Sequence, residues 1–510
     1  MAPRSLRPGR DGGAPDAAGT AATGGADPAG PRRAVVVGGG ISGLLAAREL
    51  ALGGLAVTVL EAGTRFGGSV GTHRVAGLDL DSGAESFATR SPAVAALLEE
   101  LGLAADIVQP AAAGAWLQLP GEDLAAAAQP MPAGGIVGIP ADPSAPEIVR
   151  AIGRDLAARA ALDRVLPAGA AARRPGMSLG ELVRTRMGEQ VLRRLVSPVV
   201  SGVYSADPDV LDVDSVAPGL REALGREGSL AAAAASLRSA APAGSTVASL
   251  RGGMGRLSRA LEDQLRSAGA VLETGIRVDS LVRTEQSWEV GAEGRRWSAD
   301  AVVLATDGPT AVDLLSPLPG LPALPDDARP APGPGVALVT LVLDQPALDA
   351  APRGTGMLVA REVEQVAAKA LTHATAKWQW LADEAGPGTH VLRLSYGRAL
   401  GPDDLASSAD RAAFLPDDEL FAQALADASA LLQVPVGADD VVGWDVVRWT
   451  GALPSAAVGH KARVAAVRDA VGAVPGLEVV GAWLAGTGLA AVTADTRRRA
   501  AGLLAQLGTI

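Results

Sequence analysis

The chain has 510 residues, a length that suggests two to four domains rather than one core. It is 48% hydrophobic, and its net charge of −11 excludes the basic face that a nucleic-acid partner needs. With no cysteine, disulfides, thiolate metal sites, CxxC redox motifs and cysteinyl-linked flavin are excluded, and His73, His373, His390 and His460 lack any metal-ligand spacing, so no metal is expected.

Residues 1–31 are Gly, Ala, Pro and Asp with a few arginines and no apolar period, and are expected to form a disordered tail. Arg32-Arg33 could mimic a twin-arginine signal, but the apolar run that follows, Ala34–Val37, is too short and is better explained as a buried parallel strand. Gly38–Gly43 turns into a helix from Ser42 to about Leu52, with Leu44, Leu45, Ala47 and Leu50 on one side. Gly53-Gly54 stops that helix, and Leu55–Leu60 is the next strand, ending at Glu61. This is one βαβ unit.

Residues 91–215 are predicted mostly helical, with helical apolar spacing in Pro92–Leu103 and Met177–Val200. Ala223–Ala241 is ambiguous between a helix and a flexible arm. A second nucleotide-fold pattern begins near Ser249, with a glycine turn at Arg251–Gly255 and an amphipathic stretch at Leu257–Ala268. Val271–Glu273 and Arg277–Val282 read as strands, Trp288–Val290 with Arg296–Trp297 as a hairpin, and Ala301–Ala305 as a buried strand. After a proline-rich linker at 316–335, Val336–Leu343, Gly356–Ala360 and His390–Tyr396 alternate like strands of an antiparallel sheet. Leu420–Leu432 reads as a helix, Leu477–Val480 as a last buried strand and Val492–Leu507 as a closing helix. Leu124–Ala141 and Val479–Ala494 lack charge, but prolines or glycines break both, so no transmembrane helix is expected. Peripheral membrane contact stays open.

Three motifs bear on chemistry. In Gly38-Gly39-Gly40-Ile41-Ser42-Gly43, Gly38 allows the tight turn, Gly40 lets backbone approach a pyrophosphate, and Gly43 lets helix and strand pack closely. The phosphate charge then lies at a helix N-terminus. Glu61, about 20 residues on at a strand end, is placed to accept hydrogen bonds from ribose hydroxyls. The second motif is Glu61-Ala62-Gly63-Thr64-Arg65-Phe66-Gly67-Gly68, which extends the phosphate site. The third runs from Gly481 to Val492 as strand, glycine loop and helix start, where a helix N-terminus could face a flavin pyrimidine edge.

The string Asp81-Ser82-Gly83-Ala84-Glu85-Ser86-Phe87-Ala88-Thr89-Arg90 resembles the oxygen-dependent protoporphyrinogen/coproporphyrinogen oxidases of the flavin amine-oxidase superfamily. So do Ile136–Pro140, Pro198–Ser205, Arg251–Leu257, and the stretch from Trp449 that adds Leu453-Pro454 and Val458-Gly459-His460-Lys461. The resemblance covers about residues 34 to 505. There are departures: Pro454-Ser455-Ala456 lacks an aromatic, Leu371-Thr372 replaces a Cys-Thr near the retained Lys377-Trp378, and Ser91 replaces a basic residue.

The resemblance implies an α/β fold. Its FAD domain is two-dinucleotide-binding and Rossmann-like, discontinuous over 32–90, 245–315 and 470–510. A mainly helical domain covers 91–215, and an inserted α+β substrate-binding domain covers 216–244 and 316–469. It implies non-covalent FAD held by Gly38, Gly39, Gly40, Ile41, Ser42, Gly43, Glu61, Ala62, Arg65, Gly67, Gly68, Ser69, Gly83, Ala84, Glu85, Ser86, Val278, Trp449, Gly488, Leu489, Ala490, Ala491 and Val492. It implies no catalytic side chain, a tetrapyrrole substrate touched by Arg90, oxygen as acceptor with peroxide as product, and a cytoplasmic enzyme of haem biosynthesis. Coproporphyrinogen III is the expected substrate. The alternatives are protoporphyrinogen IX, another superfamily chemistry such as desaturation or amine oxidation, and a flavin-free escort protein.

Overall fold

Ala34–Val37 is apolar on both sides of the strand, as suits a strand covered on both faces of a parallel sheet. In the computed structural model, residues 31–239, 247–285, 287–330, 335–397, 412–449 and 456–508 are described. Residues 1–30 of the expected tail, Ala240 and Ala241, and Leu453-Pro454-Ser455 lie outside them. Arg33–Val37 occupies the centre of a five-stranded sheet, in the order Val271–Thr274, Ala56–Glu61, Arg33–Val37, Ala301–Leu304, Leu477–Val479. Every pairing is parallel. The strands come from three distant stretches of chain, as the recurring nucleotide-fold pattern in the sequence predicts.

Both faces of this sheet are buried. On one, Leu44 and Leu50 of the helix Ile41–Leu52 meet Leu257, Leu261 and Leu265 of the amphipathic helix Gly255–Ser267, with Leu503 and Leu504 of the closing helix Leu489–Gln506. On the other, Val35, Val37, Leu60, Val302 and Leu304 meet Trp288, Leu315 and Val467. Truncating a fully buried leucine such as Leu44 to alanine costs about 2–5 kcal/mol.

A second sheet has seven strands, in the order Val441–Trp449, Val336–Asp344, Thr389–Tyr396, Ala370–His373, Gly356–Val359, Trp116–Gln118, Ala128–Pro130. It is antiparallel except where Gly356–Val359 meets Trp116–Gln118. The last two strands lie inside the stretch predicted mostly helical. Three residues each are too few to show a strand period. Val441–Trp449 was not foreseen, because Gly443 and Asp445 break its apolar pattern. Gly443 is where the hairpin of Thr72–Val75 and Leu78–Asp81 crosses: a Cβ there would lie 3.2 Å from the Ala76 nitrogen.

The alanine-rich stretch after Leu220 is helical as far as Ser239, as Leu220–Glu227 and Leu230–Ser239, parted by Gly228 at a φ of 78°. The run Met177–Val200 holds Leu179–Met187, a short turn Glu189–Val191, a π-helical turn Leu192–Val196 and the start of Ser197–Tyr204. The strand expected at Arg277–Val282 is Ser280–Arg283, because Ile276 donates its N–H back to the Glu61 carbonyl at 2.9 Å. Among the described residues no helix is long and apolar enough to cross a membrane.

Candidate functional site

The strand Arg33–Val37 ends at Gly38, whose φ of 104° needs glycine and whose Cβ would lie 2.6 Å from the Ala305 carbonyl oxygen. A Cβ on Gly43 would come within 1.9 Å of the Gly38 oxygen, so the helix packs directly on the turn. Gly40, between them, has nothing within 4 Å of a built Cβ. It is the N-cap of Ile41–Leu52, with no side-chain cap and no acidic residue in the first turn. Ile41 and Ser42 open that helix. Its free N–H groups and positive end face open space, which suits a diphosphate.

Glu61 closes the next strand. Its Oε2 accepts from the Gly39 N–H and its Oε1 from the Gly63 N–H, both at 2.6 Å. A carboxylate has about four acceptor positions, so each oxygen retains one for a ribose hydroxyl. Ala62 follows, exposed. Val278 lies across the sheet from the Gly255–Ser267 helix, packed with Val35, Val37 and Leu60.

The loop after Glu61 doubles back under the glycine turn. Gly67 donates its N–H to the Gly39 carbonyl at 2.8 Å and holds a φ of 98°, and Gly68 follows at 58°. Ser69 accepts the Ala84 N–H at 2.9 Å, and a Cβ on Gly83 would lie 2.2 Å from the Ser69 oxygen. The structure thus brings Gly67–Ser69 and Gly83–Ser86 together. Arg65 braces this loop: it donates to the Thr72 carbonyl at 3.0 Å and the Ser82 hydroxyl at 3.4 Å, and lies 5.9 Å over the Trp449 ring. Trp449 donates its indole N–H to the Ser82 carbonyl at 2.9 Å. The third glycine loop leads to Gly488, the uncapped N-cap of the 18-residue helix Leu489–Gln506, with open space where its Cβ would lie. Leu489 and Ala490 pack against the core beneath, Ala491 donates to the Gly488 carbonyl at 3.0 Å, and Val492 is buried. That helix touches the short strand Phe87–Ala88, so the three motifs border one region.

Behind Gly83–Ser86 lies a half-buried charge cluster, of which Glu85 and Lys377 stand out in the sequence and Arg393 does not. Arg393 donates to the Gly83 carbonyl at 2.8 Å and pairs with Glu85 Oε2 at 3.1 Å. Lys377 pairs with Glu85 Oε1 and lies 5.0 Å over the Trp378 ring. Burial alone would push the Glu85 carboxyl up, but Lys377 and Arg393 outweigh it and hold it at about 2. Asp81 accepts from the Gly255 N–H at 3.2 Å. Burial pushes its carboxyl up to about 7, against the pull of Arg393. The available signal was Arg393 itself: it shares a strand face with Val391, and a cation on a core-facing face needs a partner.

Arg90 lies in an exposed turn and, among the described residues, has no ion pair or hydrogen bond. Burial pushes the Tyr204 phenol up, and the charge of Arg90 pulls it down. Ser91 accepts the Ala93 N–H at 3.3 Å at the start of the next helix. Thr372 pairs in register with Arg393.

The sequence pattern described as flavin containing amine oxidoreductase matches residues 41–502. The chain is 33% identical over 480 residues to a coproporphyrinogen III oxidase of Mycobacterium leprae (strain TN), covering 92% of this chain and 98% of that one. It is 28% identical to the coproporphyrinogen III oxidase of Bacillus subtilis (strain 168), over 90% and 95% of the two chains. A solved structure from Exiguobacterium sp. 255-15, provisionally named a protoporphyrinogen oxidase, superposes with a TM-score of 0.77 at 26% identity, over 93% and 99% of the chains.

Proposed function

The chain belongs to the flavin containing amine oxidoreductases, and from that footing we propose that it is an FAD-dependent oxidase converting coproporphyrinogen III to coproporphyrin III. The observation that carries the substrate is the match to coproporphyrinogen III oxidases over nine-tenths of both chains. When bound, the flavin accepts three hydride equivalents in succession and passes each pair of electrons to oxygen, so one porphyrinogen and three oxygens give one porphyrin and three peroxides.

The protein supplies position and charge. Glu61 would hold the adenosine ribose, and the N-terminus of Ile41–Leu52 would take the diphosphate. The uncapped N-terminus of Leu489–Gln506 would meet the pyrimidine edge and favour negative charge there. Lys377 and Arg393 hold Gly83–Ser86 through Glu85 and the Gly83 carbonyl, and that segment would border the bound ring. The FAD is non-covalent. There is no cysteine, and the histidines have other partners. His73 Nδ1 lies 2.6 Å from Asp445, and His373 and His390 bond each other at 3.0 Å on the sheet face away from Arg393. The enzyme acts in the cytoplasm.

Side-by-side assays on coproporphyrinogen III and protoporphyrinogen IX, following porphyrin and peroxide, test this reading. Faster turnover of the first with one peroxide per electron pair is expected. Turnover of neither, or steady NADH consumption without porphyrinogen, would overturn it.

A further inference from the structure

Two segments singled out in the sequence, Ile136–Pro140 and Pro198–Ser205, have no part in the dinucleotide site. Both line a cavity of about 300 Å³ with mostly apolar walls, among them Leu117, Val137, Ile148, Leu195 and Val199. Among the described residues its one charged lining residue is Arg238, exposed in the last turn of Leu230–Ser239. Among the described residues Arg238 has no ion pair or hydrogen bond. An apolar concavity with a few polar or charged groups at its edge is the usual make-up of a small-molecule pocket.

The backbone around the cavity is unusual in two ways. Val137 holds a φ of 45°, a region that β-branched residues avoid. Next to it, Gly138 has a φ of 82°, and a Cβ there would lie 2.2 Å from the Leu195 oxygen. The turn is therefore pressed onto the π-helical turn Leu192–Val196. Strained turns and π-turns concentrate at functional sites.

Sheet register locates the cavity relative to the redox site. Leu117 pairs with Leu358, Leu358 with Ala370, and Ala370 with Ser395. Paired residues share a face, as do alternate residues along a strand. Leu117 and Arg393 therefore project from the same face, three strands apart, or about 15 Å. Arg393 is the residue that grips the Gly83 carbonyl. The cavity and the flavin-side segment thus border one floor, with the helix Ser197–Tyr204 over it: a Cβ on Gly202 would touch Leu358 at 2.6 Å.

We propose that this cavity is the distal end of the substrate site, taking one pyrrole edge, and that Arg238 is a specificity-determining residue that receives a propionate there. The proposal rests on the porphyrinogen reading above. It gives the tetracarboxylate a cation at the far end of the floor in addition to Arg90 near the flavin end.

The test uses flavin-loaded, full-length protein carrying Arg238→Gln, Arg238→Lys or Val199→Phe, the last filling the cavity with all charges kept. Coproporphyrin III binding is followed by fluorescence quenching, and steady-state rates are measured on both porphyrinogens. Arg238→Gln should weaken coproporphyrin binding and raise KM for coproporphyrinogen about tenfold, the effect of one charge-assisted pair, with kcat and flavin content retained. Arg238→Lys should recover most of the loss, and Val199→Phe should weaken binding by itself. Wild type active on coproporphyrinogen with an unaffected Arg238→Gln overturns this proposal alone. Wild type inactive on both porphyrinogens overturns the functional reading, and this proposal with it.

Discussion

Glu61 is held before any ligand arrives, since the Gly39 and Gly63 N–H groups fix both carboxylate oxygens. Ribose binding then needs no rearrangement. Glu61→Ala should weaken FAD binding by about 1.5–3 kcal/mol, the worth of hydrogen bonds to a charged group, or about 10- to 150-fold in Kd. Titration of apoprotein with FAD measures this, and an unchanged Kd would remove Glu61 from the site. Asp81 gives a pH signature. Its folded carboxyl titrates near 7 against an ordinary 3.8, because burial favours the neutral form. A raised acid pKa contributes stability that is full below the ordinary value and is lost as pH rises through about 7. Wild type should therefore lose more stability between pH 5 and 9 than Asp81→Asn, read from denaturation midpoints. Equal losses would show that Asp81 does not titrate in this window. Glu61 was legible from spacing alone, since its partners are 22 and 2 residues away. Arg393 was not, because the carbonyl it grips is 310 residues distant and only the fold joins them.

At the scale of elements, the glycine turn is sterically closed on one side and open on the other. Gly43→Ala would bring a methyl group to 1.9 Å from the Gly38 oxygen, backbone that cannot step aside. Flavin content and Tm should both fall, whereas Gly54→Ala, where a Cβ meets nothing within 4 Å, should cost less despite its φ of 90°. Thermal melts of the two variants with flavin absorbance decide the matter, and a Gly43→Ala protein that keeps both would show that the helix can shift. The long, strongly periodic elements were readable: the buried strand at Ala34–Val37, the amphipathic helix before Ser267 and the sheet strands at Val336 and His390 all form. The missed strands fall into two kinds. Trp116–Gln118 and Ala128–Pro130 are too short to show a period. Val441–Trp449 is long but half-buried along most of its length, because the Thr72–Asp81 hairpin crosses it, and such a strand has no clean apolar face to read.

For the whole molecule, the decisive quantity is the net charge of −11. A field of that sign opposes both porphyrinogens, and the tetracarboxylate more than the dicarboxylate. Under the proposed function, a preference for coproporphyrinogen would have to come from cations within contact distance, where charge-assisted pairs contribute roughly 1.5–3 kcal/mol each. Long-range repulsion decays over about 8–10 Å at ordinary ionic strength, so one or two contacts are enough to reverse it. Among the described residues many arginines are already spent on carboxylates, as in Arg184 with Asp209, Arg186 with Asp163 and Arg497 with Glu100. Arg90 is not: among the described residues it has no hydrogen bond or ion pair. Arg90→Ala should raise the apparent KM for coproporphyrinogen about tenfold or more, the worth of one such pair, and should leave flavin content intact because among the described residues Arg90 has no hydrogen bond or ion pair to the glycine loops. The same variant should change the KM for protoporphyrinogen less, since that substrate has fewer carboxylates to lose. Equal turnover of both porphyrinogens by wild type, together with an Arg90→Ala protein of unchanged KM, would place the recognition of the propionates elsewhere on the floor while leaving the flavin site where Glu61 and the glycine turn put it.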